Sequence, residues 1–270
     1  MAPNDSTAVQ SSPAAFPKAL INEVLVRRVT NALTQHGYTP ETTLVATSLC
    51  CDEGNRELEK DFGAQYGDHF SMGGLGGFAF GGVTGFGVMA HHILDNGSFY
   101  GPHVGIDSTD TIGKLDRRGR KATGACCGSA AAAATYIASV RGGADEATMP
   151  TECIDIQQYF VGKMLLPHGE CLEQAQDARI ELPLALFDEQ NKLMHKIVTV
   201  GCAEVAGEGK IALLGGAQIN TPCGSPDYFL PLSFKLRDNQ GELVESLLWD
   251  EEFTEDRISA PKDKDTAIRS

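Results

Sequence analysis

The chain has 270 residues and a formal net charge of -14 at neutral pH. Since a polyanionic partner requires a basic surface, this balance argues against nucleic-acid binding and against binding to an anionic membrane surface. No apolar run reaches the length of a membrane span, and eight cysteines in a chain of this length are too sparse for a disulfide scaffold.

The composition predicts one domain. A hydrophobic content of 42% is sufficient for a core. Residues 1–16 have neither a basic nor an apolar signal region and are interpreted as a disordered lead-in. Residues 17–250 are predicted to form a single domain, and residues 251–270 a charged tail. The cysteine usage indicates a reducing compartment, most simply the cytoplasm, or a chloroplast stroma if a transit peptide has been removed.

The first predicted elements are a helix, a strand and a second helix. Apolar residues recur on one face over residues 17–35, and Gly37 follows, which predicts an amphipathic helix. Residues 44–49 are a short apolar run with Val45 and Thr47, which predicts a buried strand. Residues 57–66 are then predicted to form a charged helix.

Reactive side chains gather where this strand ends. Because side chains alternate along a strand, Cys50 and Asp52 are expected on one face, and Cys51 on the other, in packing. Asp52 is a candidate helix cap, and Arg56 lies four residues further on, on the same helical face. The sequence therefore predicts that a thiolate, a carboxylate and a guanidinium converge here.

Residues 70–92 are rich in glycine and phenylalanine. Each glycine lowers helix stability by about 1 kcal/mol, so this stretch is predicted to be a loop rather than a regular helix. Matches to GxGxxA are discounted, since that fingerprint requires a strand before it and a helix after it. The aromatic residues Phe78, Phe80 and Phe86 favour a loop that lines a small, dry pocket.

Two later segments add metal-ligating groups. Residues 98–106 are interpreted as a strand and turn that carries His103, and residues 128–140 as an alanine-rich helix that begins just after Cys126 and Cys127. A thiolate at a helix N-terminus is stabilised by the helix dipole. With Cys50, a histidine and one of these two cysteines give three zinc ligands, and a fourth position is left for water, as in catalytic zinc sites.

The remaining elements complete an α/β pattern. Helices are predicted over residues 153–166 and 170–178, a core strand over 211–219, and a terminal hairpin over 228–248. Residues 114–121 are predicted to form an exposed basic patch. The alternation of strands and helices predicts an α/β domain with a central, partly parallel sheet flanked by helices.

Four motifs in this order resemble one known family. CCDEGNRELE at 50–59, the glycine-rich segment at 70–95, GPHVGI at 101–106 and ACCGSAAAA at 125–133 are similar to the limiting-CO2-inducible B/C family, the theta-class carbonic anhydrases. The resemblance implies a fold similar to β-class carbonic anhydrases, a homodimer, and one zinc ion (Zn2+) per site.

Carried over to this sequence, the resemblance implies zinc ligands Cys50, His103 and one of the adjacent cysteines. Cys127 is chosen because it directly precedes Gly128 and the helix. Asp52 and Arg56 are implied as the catalytic dyad beside the metal.

The implied reaction is the reversible hydration of CO2 to bicarbonate by a zinc-bound hydroxide. In this scheme His91 and His92 are candidates for proton transfer, and Asp107 for fixing the tautomer of His103. One alternative is a weakly active or inactive zinc-stabilised subunit that binds a partner. Another is a hydrolase of a CO2 analogue, CS2 or COS. A nucleobase deaminase ranks last, because His103 is followed by Val104 and Gly105 instead of the HxE motif.

Overall fold

A computed structural model describes residues 13–67, 69–92, 95–116, 123–205 and 208–247. Its frame is a mixed eight-stranded sheet with strand order β1-β9-β8-β4-β2-β3, in which β5 also pairs with β8 and β10 with β9. Strands β6 and β7 form a separate two-stranded sheet. The strands are β1 (Leu20–Ile21), β2 (Thr43–Leu49), β3 (His69–Ser71), β4 (Asp95–Gly101), β5 (His103–Gly105), β6 (Lys114–Asp116), β7 (Thr123–Ala125), β8 (Ile211–Asn220), β9 (Tyr228–Arg237) and β10 (Leu243–Ser246).

The centre of the sheet is parallel. Strand β2 pairs in parallel with β3 and β4, and β8 pairs in parallel with β4 and β5. Strand β9 is antiparallel to β8, and β1 and β10 are antiparallel to β9. The register places Leu49 beside Gly101, so β2 and β4 end at the same edge of the sheet. The predicted α/β class with a partly parallel sheet is confirmed.

Seven α-helices are found among the described residues, and several match the predictions. Helices α2 and α4 and the strands near 44–49 and 211–219 lie where the sequence indicated. The first helix begins later than predicted, because Leu20 and Ile21 pair with β9 as a short strand. The helices are α1 (Asn22–Gln35), α2 (Arg56–Tyr66), α3 (Gly82–Ala90), α4 (Gly128–Arg141), α5 (Ile156–Leu165), α6 (Gly169–Gln174) and α7 (Ala178–Gly201).

The prediction that residues 70–92 form a loop throughout is wrong for α3. Six of the nine residues in GVTGFGVMA are not glycine, and Phe86 on this helix is fully buried. Its ring lies against α7 at Gly201, where an added Cβ would come within 2.5 Å of the ring. Packing of α3 on α7 therefore outweighs the low helix propensity of glycine. Helix α7, which has 24 residues, was not predicted beyond its first residue.

Helices cover both faces of the sheet. Alternate strand residues separate into two clusters: Phe99 and Leu214 pack with Leu25 of α1, whereas Tyr100 and Leu213 pack with Phe187 of α7. A strand buried on both faces reads as a continuous apolar run, which explains why β2 and β8 were recognisable in the sequence.

The described part of the chain contains no helix that is both long enough and apolar enough to cross a membrane. Phe16, inside the predicted lead-in, is 2% exposed and packs near β9. The predicted tail at 251–270 and most of the basic patch at 114–121 lie outside the described residues.

Candidate metal centre

Three residues that the sequence singled out come together at one point. Cys50, His103 and Cys127 each offer a ligand atom, and these atoms lie within 4.8 Å of one another. Their relative exposures are 4%, 2% and 2%. The Nε2 atom of His103 is buried without a hydrogen-bond partner among the described residues. Leaving a buried polar atom without a partner costs folding free energy. The ring that carries this atom lies in a cluster with two sulfur atoms, which are soft metal ligands.

The sheet edge and a helix start position these side chains. Cys50 directly follows β2, and His103 opens β5 after Pro102 interrupts the strand. Cys127 precedes α4 with φ 47° and ψ 74°, which is left-handed backbone. A non-glycine residue in this region costs about 1–2 kcal/mol. Such strain is retained where the surrounding structure requires a particular side-chain direction.

The thiols of Cys50 and Cys127 interact, and this interaction shifts their pKa values in opposite directions. The interaction with Cys127 lowers the pKa of Cys50 to about 4, although burial opposes this, and the nearby His103 ring lowers it further. The same interaction with Cys50, together with burial, raises the pKa of Cys127 well above its ordinary value. Burial lowers the pKa of His103, but its interactions with the nearby sulfur atoms of Cys126, Cys127 and Cys50 outweigh this effect and raise the pKa.

The donor set fits zinc. Borderline-soft zinc binds thiolate sulfur and imidazole nitrogen, and three protein ligands are typical of a catalytic site. The lowered pKa of Cys50 favours one thiolate, and Nε2 of His103 has no hydrogen-bond partner, so it can bind a metal once it has lost its proton. The buried Cys50–His103–Cys127 cluster is therefore consistent with a zinc site.

The neighbouring cysteines have different roles. Cys126 lies behind the histidine, with its sulfur 3.3 Å from Nδ1 of His103, on the opposite side of the ring from Nε2. Cys51 was expected in packing, but it is exposed. That prediction is wrong, because the chain turns into a 3-10 helix (Glu53–Asn55) directly after β2 and leaves Cys51 at the surface.

The structure places Asp52 and Arg56 in the turn after Cys50. Asp52 caps the 3-10 helix by accepting a hydrogen bond from the backbone N–H of Gly54 at 3.1 Å, as the capping prediction required. The backbone N–H of Asp52 also donates to the sulfur of Cys50. Arg56 donates to the carbonyl oxygen of Cys50 at 2.7 Å and forms an ion pair with Glu59 at 2.5 Å. The Asp52–Arg56 dyad therefore stays a prediction.

Glu59 was missed by the sequence analysis. Its side chain is 3% exposed, accepts a hydrogen bond from Thr47 at 2.9 Å and pairs with Arg56. A carboxylate this deeply buried requires such partners. The available signal was its spacing of three residues from Arg56, which places both on one helix face.

Asn220 was also missed, and it occupies the position beside His103 that was predicted for Asp107. Its side-chain oxygen lies 3.0 Å from Nδ1 of His103. The carboxylate of Asp107 instead accepts hydrogen bonds from the backbone of Thr109 and Thr111. No residue type or spacing near position 220 indicated a link to a histidine 117 positions earlier.

The residues predicted to transfer protons or to line an apolar pocket lie in different parts of the fold. His91 pairs with Glu204 at 3.0 Å, and the ring of His92 lies edge-on to Phe70. Phe78 is fully buried in the cluster that contains Cys50 and Cys127, and the partly buried Phe80 packs against this cluster. Phe86 belongs to the separate cluster beneath α7.

A cavity of about 580 Å³ lies beside the metal ligands. His103 and Cys127 contribute to its wall, and helices α4, α6 and α7 form most of the remainder. Helix α4 contributes the small side chains of Ala130, Ala131, Ala134 and Ala138 and the larger side chain of Ile137 to this wall. The cavity is thus apolar where it meets α4.

Comparison with known proteins places the chain in a family. The profile of the limiting CO2-inducible proteins B/C beta carbonic anhydrases matches residues 19–238. The crystal structure of PtLCIB4, a homolog of the limiting CO2-inducible protein LCIB, is 46% identical, with a TM-score of 0.81 over 86% of this chain and 96% of that chain. A point mutant of PtLCIB4 is 44% identical, with a TM-score of 0.82 over 87% and 95% of the two chains.

A more distant structure agrees in fold. The limiting CO2-inducible protein LCIB is 20% identical, with a TM-score of 0.65 over 86% of this chain and 96% of that chain. Among curated proteins, none matches the chain. The family profile covers most of the chain, and the motifs at 50–59, 70–95, 101–106 and 125–133 lie within it. The chain therefore belongs to the limiting CO2-inducible B/C family of beta carbonic anhydrases.

Proposed function

We propose that this protein is a zinc enzyme that catalyses the reversible hydration of CO2 to bicarbonate and a proton. The observation that carries the proposal is the buried cluster of Cys50, His103 and Cys127, in which Nε2 of His103 has no hydrogen-bond partner. When bound, zinc supplies the Lewis acidity that makes hydroxide available near neutral pH, an effect that two thiolate ligands weaken relative to three imidazoles.

Asp52 is proposed to orient the attacking oxygen. A carboxylate that accepts a hydrogen bond from a water or hydroxide directs the remaining lone pair toward the carbon of CO2. Its position is restrained, because its side chain caps the turn at Gly54 and its N–H donates to Cys50. Arg56 holds the carbonyl of Cys50 and is proposed to pair with Asp52 during turnover, which keeps that carboxylate from acting as a fourth ligand.

The apolar substrate requires apolar walls more than charged groups. Phe78 and Phe80 pack in the apolar cluster that contains Cys50 and Cys127. The alanines of α4 line the cavity beside Cys127. CO2 carries no net charge, so an apolar wall does not oppose its entry, whereas product bicarbonate is disfavoured there and leaves toward water.

The test is CO2 hydration by the purified protein, followed with a pH indicator in stopped flow, with zinc content measured on the same preparation. We expect about one zinc per chain and turnover that is lost in Cys50→Ser. Cys51→Ser is the matched control, since this neighbouring thiol is exposed and outside the cluster. Equal loss of zinc in both variants would contradict the assigned ligand set.

The role of Asp52 has a separate test. Asp52→Asn keeps the size of the side chain and can still cap the turn, but an amide cannot replace the charge of the carboxylate. We expect turnover to fall about a hundredfold while zinc content is retained. Unchanged turnover with full zinc content would remove Asp52 from the mechanism.

One observation favours a second candidate, a zinc-stabilised family member with little activity of its own that binds a partner. In this conformation Arg56 is held by Glu59, a contact that competes with the proposed dyad. The homodimer implied by the family is proposed for either function. A preparation with about one zinc per chain and no CO2 hydration would select this candidate over the enzyme.

A further inference from the structure

We infer that Asn220 is a positioning residue for the metal centre: it keeps the proton of the His103 ring on Nδ1 and directs Nε2 toward the two thiolates. The inference rests on the proposed zinc site, but it does not require that the site hydrate CO2. It is carried by a buried network of hydrogen bonds that joins three separate parts of the chain.

The sheet brings the two side chains together. Strand β5 pairs in parallel with the end of β8, with His103 opposite Gln218 and Gly105 opposite Asn220. Residues two apart on a strand share a face, so Asn220 lies on the same face as Gln218 and His103. The Oδ1 atom of Asn220 is 3.0 Å from Nδ1 of His103, and the two residues are 1% and 2% exposed.

The orientation of the Asn220 amide is fixed by its other partners. Its Nδ2 atom donates to the carbonyl oxygen of Gly54 at 2.8 Å and to the carboxylate of Asp227 at 3.1 Å. Asp227 is held in turn by the backbone N–H of Thr221 at 2.7 Å. A reversed amide would place an acceptor against two acceptors, so only Oδ1 can face His103.

This orientation decides the tautomer of the histidine. An amide oxygen can only accept, so Nδ1 of His103 must donate and must carry a proton. The neutral ring then has its lone pair on Nε2, the atom that has no hydrogen-bond partner among the described residues. Only this nitrogen is available to a metal, and it belongs to the cluster with Cys50 and Cys127.

Cys126 completes the arrangement. Its sulfur lies 3.8 Å from Oδ1 of Asn220 and 3.3 Å from Nδ1 of His103. As a thiol it donates to Oδ1, which has two lone pairs and so accepts from both neighbours. All four hydrogen-bonding positions of the Asn220 amide are then filled, which suits a side chain with almost no contact with solvent.

The same amide connects two of the ligands. Gly54 belongs to the 3-10 turn that follows Cys50, and a Cβ at Gly54 would lie 3.2 Å from the Asn220 side chain. Asn220 thus touches the strand that carries His103 and the turn that follows Cys50. Partners behind a metal ligand that fix its orientation typically change metal affinity by about 10- to 100-fold when they are removed.

The test uses the zinc-loaded full chain labelled with nitrogen-15 in histidine. Long-range proton–nitrogen correlation spectra report which ring nitrogen of His103 carries hydrogen, and chelator competition gives the zinc affinity. We expect a protonated, slowly exchanging Nδ1 in the wild type. Asn220→Leu should lose this slow exchange and bind zinc about 10- to 100-fold more weakly.

Three further variants separate the roles. Asn220→Asp combined with Asp227→Asn keeps an acceptor facing His103 and reverses the hydrogen bond between positions 220 and 227, so Nδ1 should stay protonated, although the second carboxylate oxygen then meets the carbonyl oxygen of Gly54. It also serves if Asn220→Leu does not fold. Cys126→Ala removes the other neighbour of Nδ1, and Asp107→Asn alters the carboxylate nearest in sequence. Both should leave the Nδ1 signal in place.

Two results would overturn the inference. One is a proton on Nε2 in the wild type. The other is an unchanged Nδ1 signal and zinc affinity in Asn220→Leu, together with their loss in Cys126→Ala, which would transfer the role to the thiol. Absence of CO2 hydration in a protein that shows the expected tautomer and zinc affinity would count against the proposed function and support the role of Asn220.

Discussion

Gly77 packs against the ends of β2 and β4, beside the backbone of Cys50, and we predict that Gly77→Ala damages both folding and metal binding. Gly77 has φ +86°, and a Cβ there would lie 2.4 Å from the carbonyl oxygen of Gly101 and 3.3 Å from the backbone nitrogen of Cys50. Left-handed backbone costs a non-glycine residue about 1–2 kcal/mol. The oxygen must also withdraw by at least 0.6 Å, since such contacts are essentially never shorter than 3.0 Å.

This displacement acts on the site directly. Overpacking of this kind costs about 1–3 kcal/mol, so the free energy of unfolding should fall by about 2–5 kcal/mol in total. Gly101 ends β4, two residues before His103, and a shift between it and Cys50 moves two ligands apart. We therefore expect zinc affinity to fall by about tenfold or more, which corresponds to about 1.4 kcal/mol.

Gly37→Ala is the matched control. Gly37 has φ +89°, but no atom lies within 4 Å of an added Cβ. It should therefore lose only about 1–2 kcal/mol and keep its zinc affinity. The assays are urea unfolding of the zinc-loaded proteins and chelator competition. Equal losses of stability in the two variants, with unchanged zinc affinity in Gly77→Ala, would refute the assignment of a steric role to this glycine.

Three further predictions concern the metal, the apolar wall and an ion pair. Removal of zinc by a chelator should lower the free energy of unfolding by about 2.7 kcal/mol relative to protein with free zinc at a hundred times its dissociation constant, and no change in the melting temperature would contradict zinc binding to the folded state. Phe78→Ala should cost about 3–5 kcal/mol in urea unfolding because Phe78 is fully buried, whereas Phe80→Ala should cost less because Phe80 is only partly buried; a larger loss for Phe80→Ala than for Phe78→Ala would contradict the burial assigned to the two rings. Burial raises the pKa of Glu189, but hydrogen bonds from His168 and Lys192 outweigh this effect, so the pKa is lowered in the folded state. Ionised Glu189 therefore stabilises the fold at pH values above its unfolded pKa. This contribution is lost as pH falls through the folded pKa. Glu189→Gln should therefore cost no more than about 1 kcal/mol near pH 7, since the group is partly solvated, and the unfolding curves of variant and wild type should converge in acid.

The candidate metal ligands were predictable because each stands beside a local sequence feature. Cys50 ends an apolar run, and Cys127 precedes a helix whose alanine content is plain in the sequence. The choice of Cys127 over Cys126 agrees with the cluster in the structure. Only the order of four motifs, which resembles one family, indicated that the three residues bind the same metal. No spacing rule connects position 50 with position 127.

The supporting residues could not be predicted, because their role depends on distant pairings. Asn220 meets His103 only through the register of β5 on β8. Helix α3 forms from a glycine-rich segment because the ring of Phe86 packs against Gly201 of α7. Single-sequence propensity contains no information about either partner. The contact of Arg56 with Glu59 was missed for a similar reason: the fold buries Glu59, and the local sequence does not show that burial.

The alanines of α4 help to set the size of the cavity next to the candidate metal centre. A cavity of about 580 Å³ is much larger than the proposed substrate CO2 requires, and methyl groups at Ala130, Ala134 and Ala138 leave this volume open. Longer aliphatic side chains on this one helix would narrow the route without touching a ligand. Reactant size could accordingly be tuned from α4 alone, independently of the chemistry at the sheet edge.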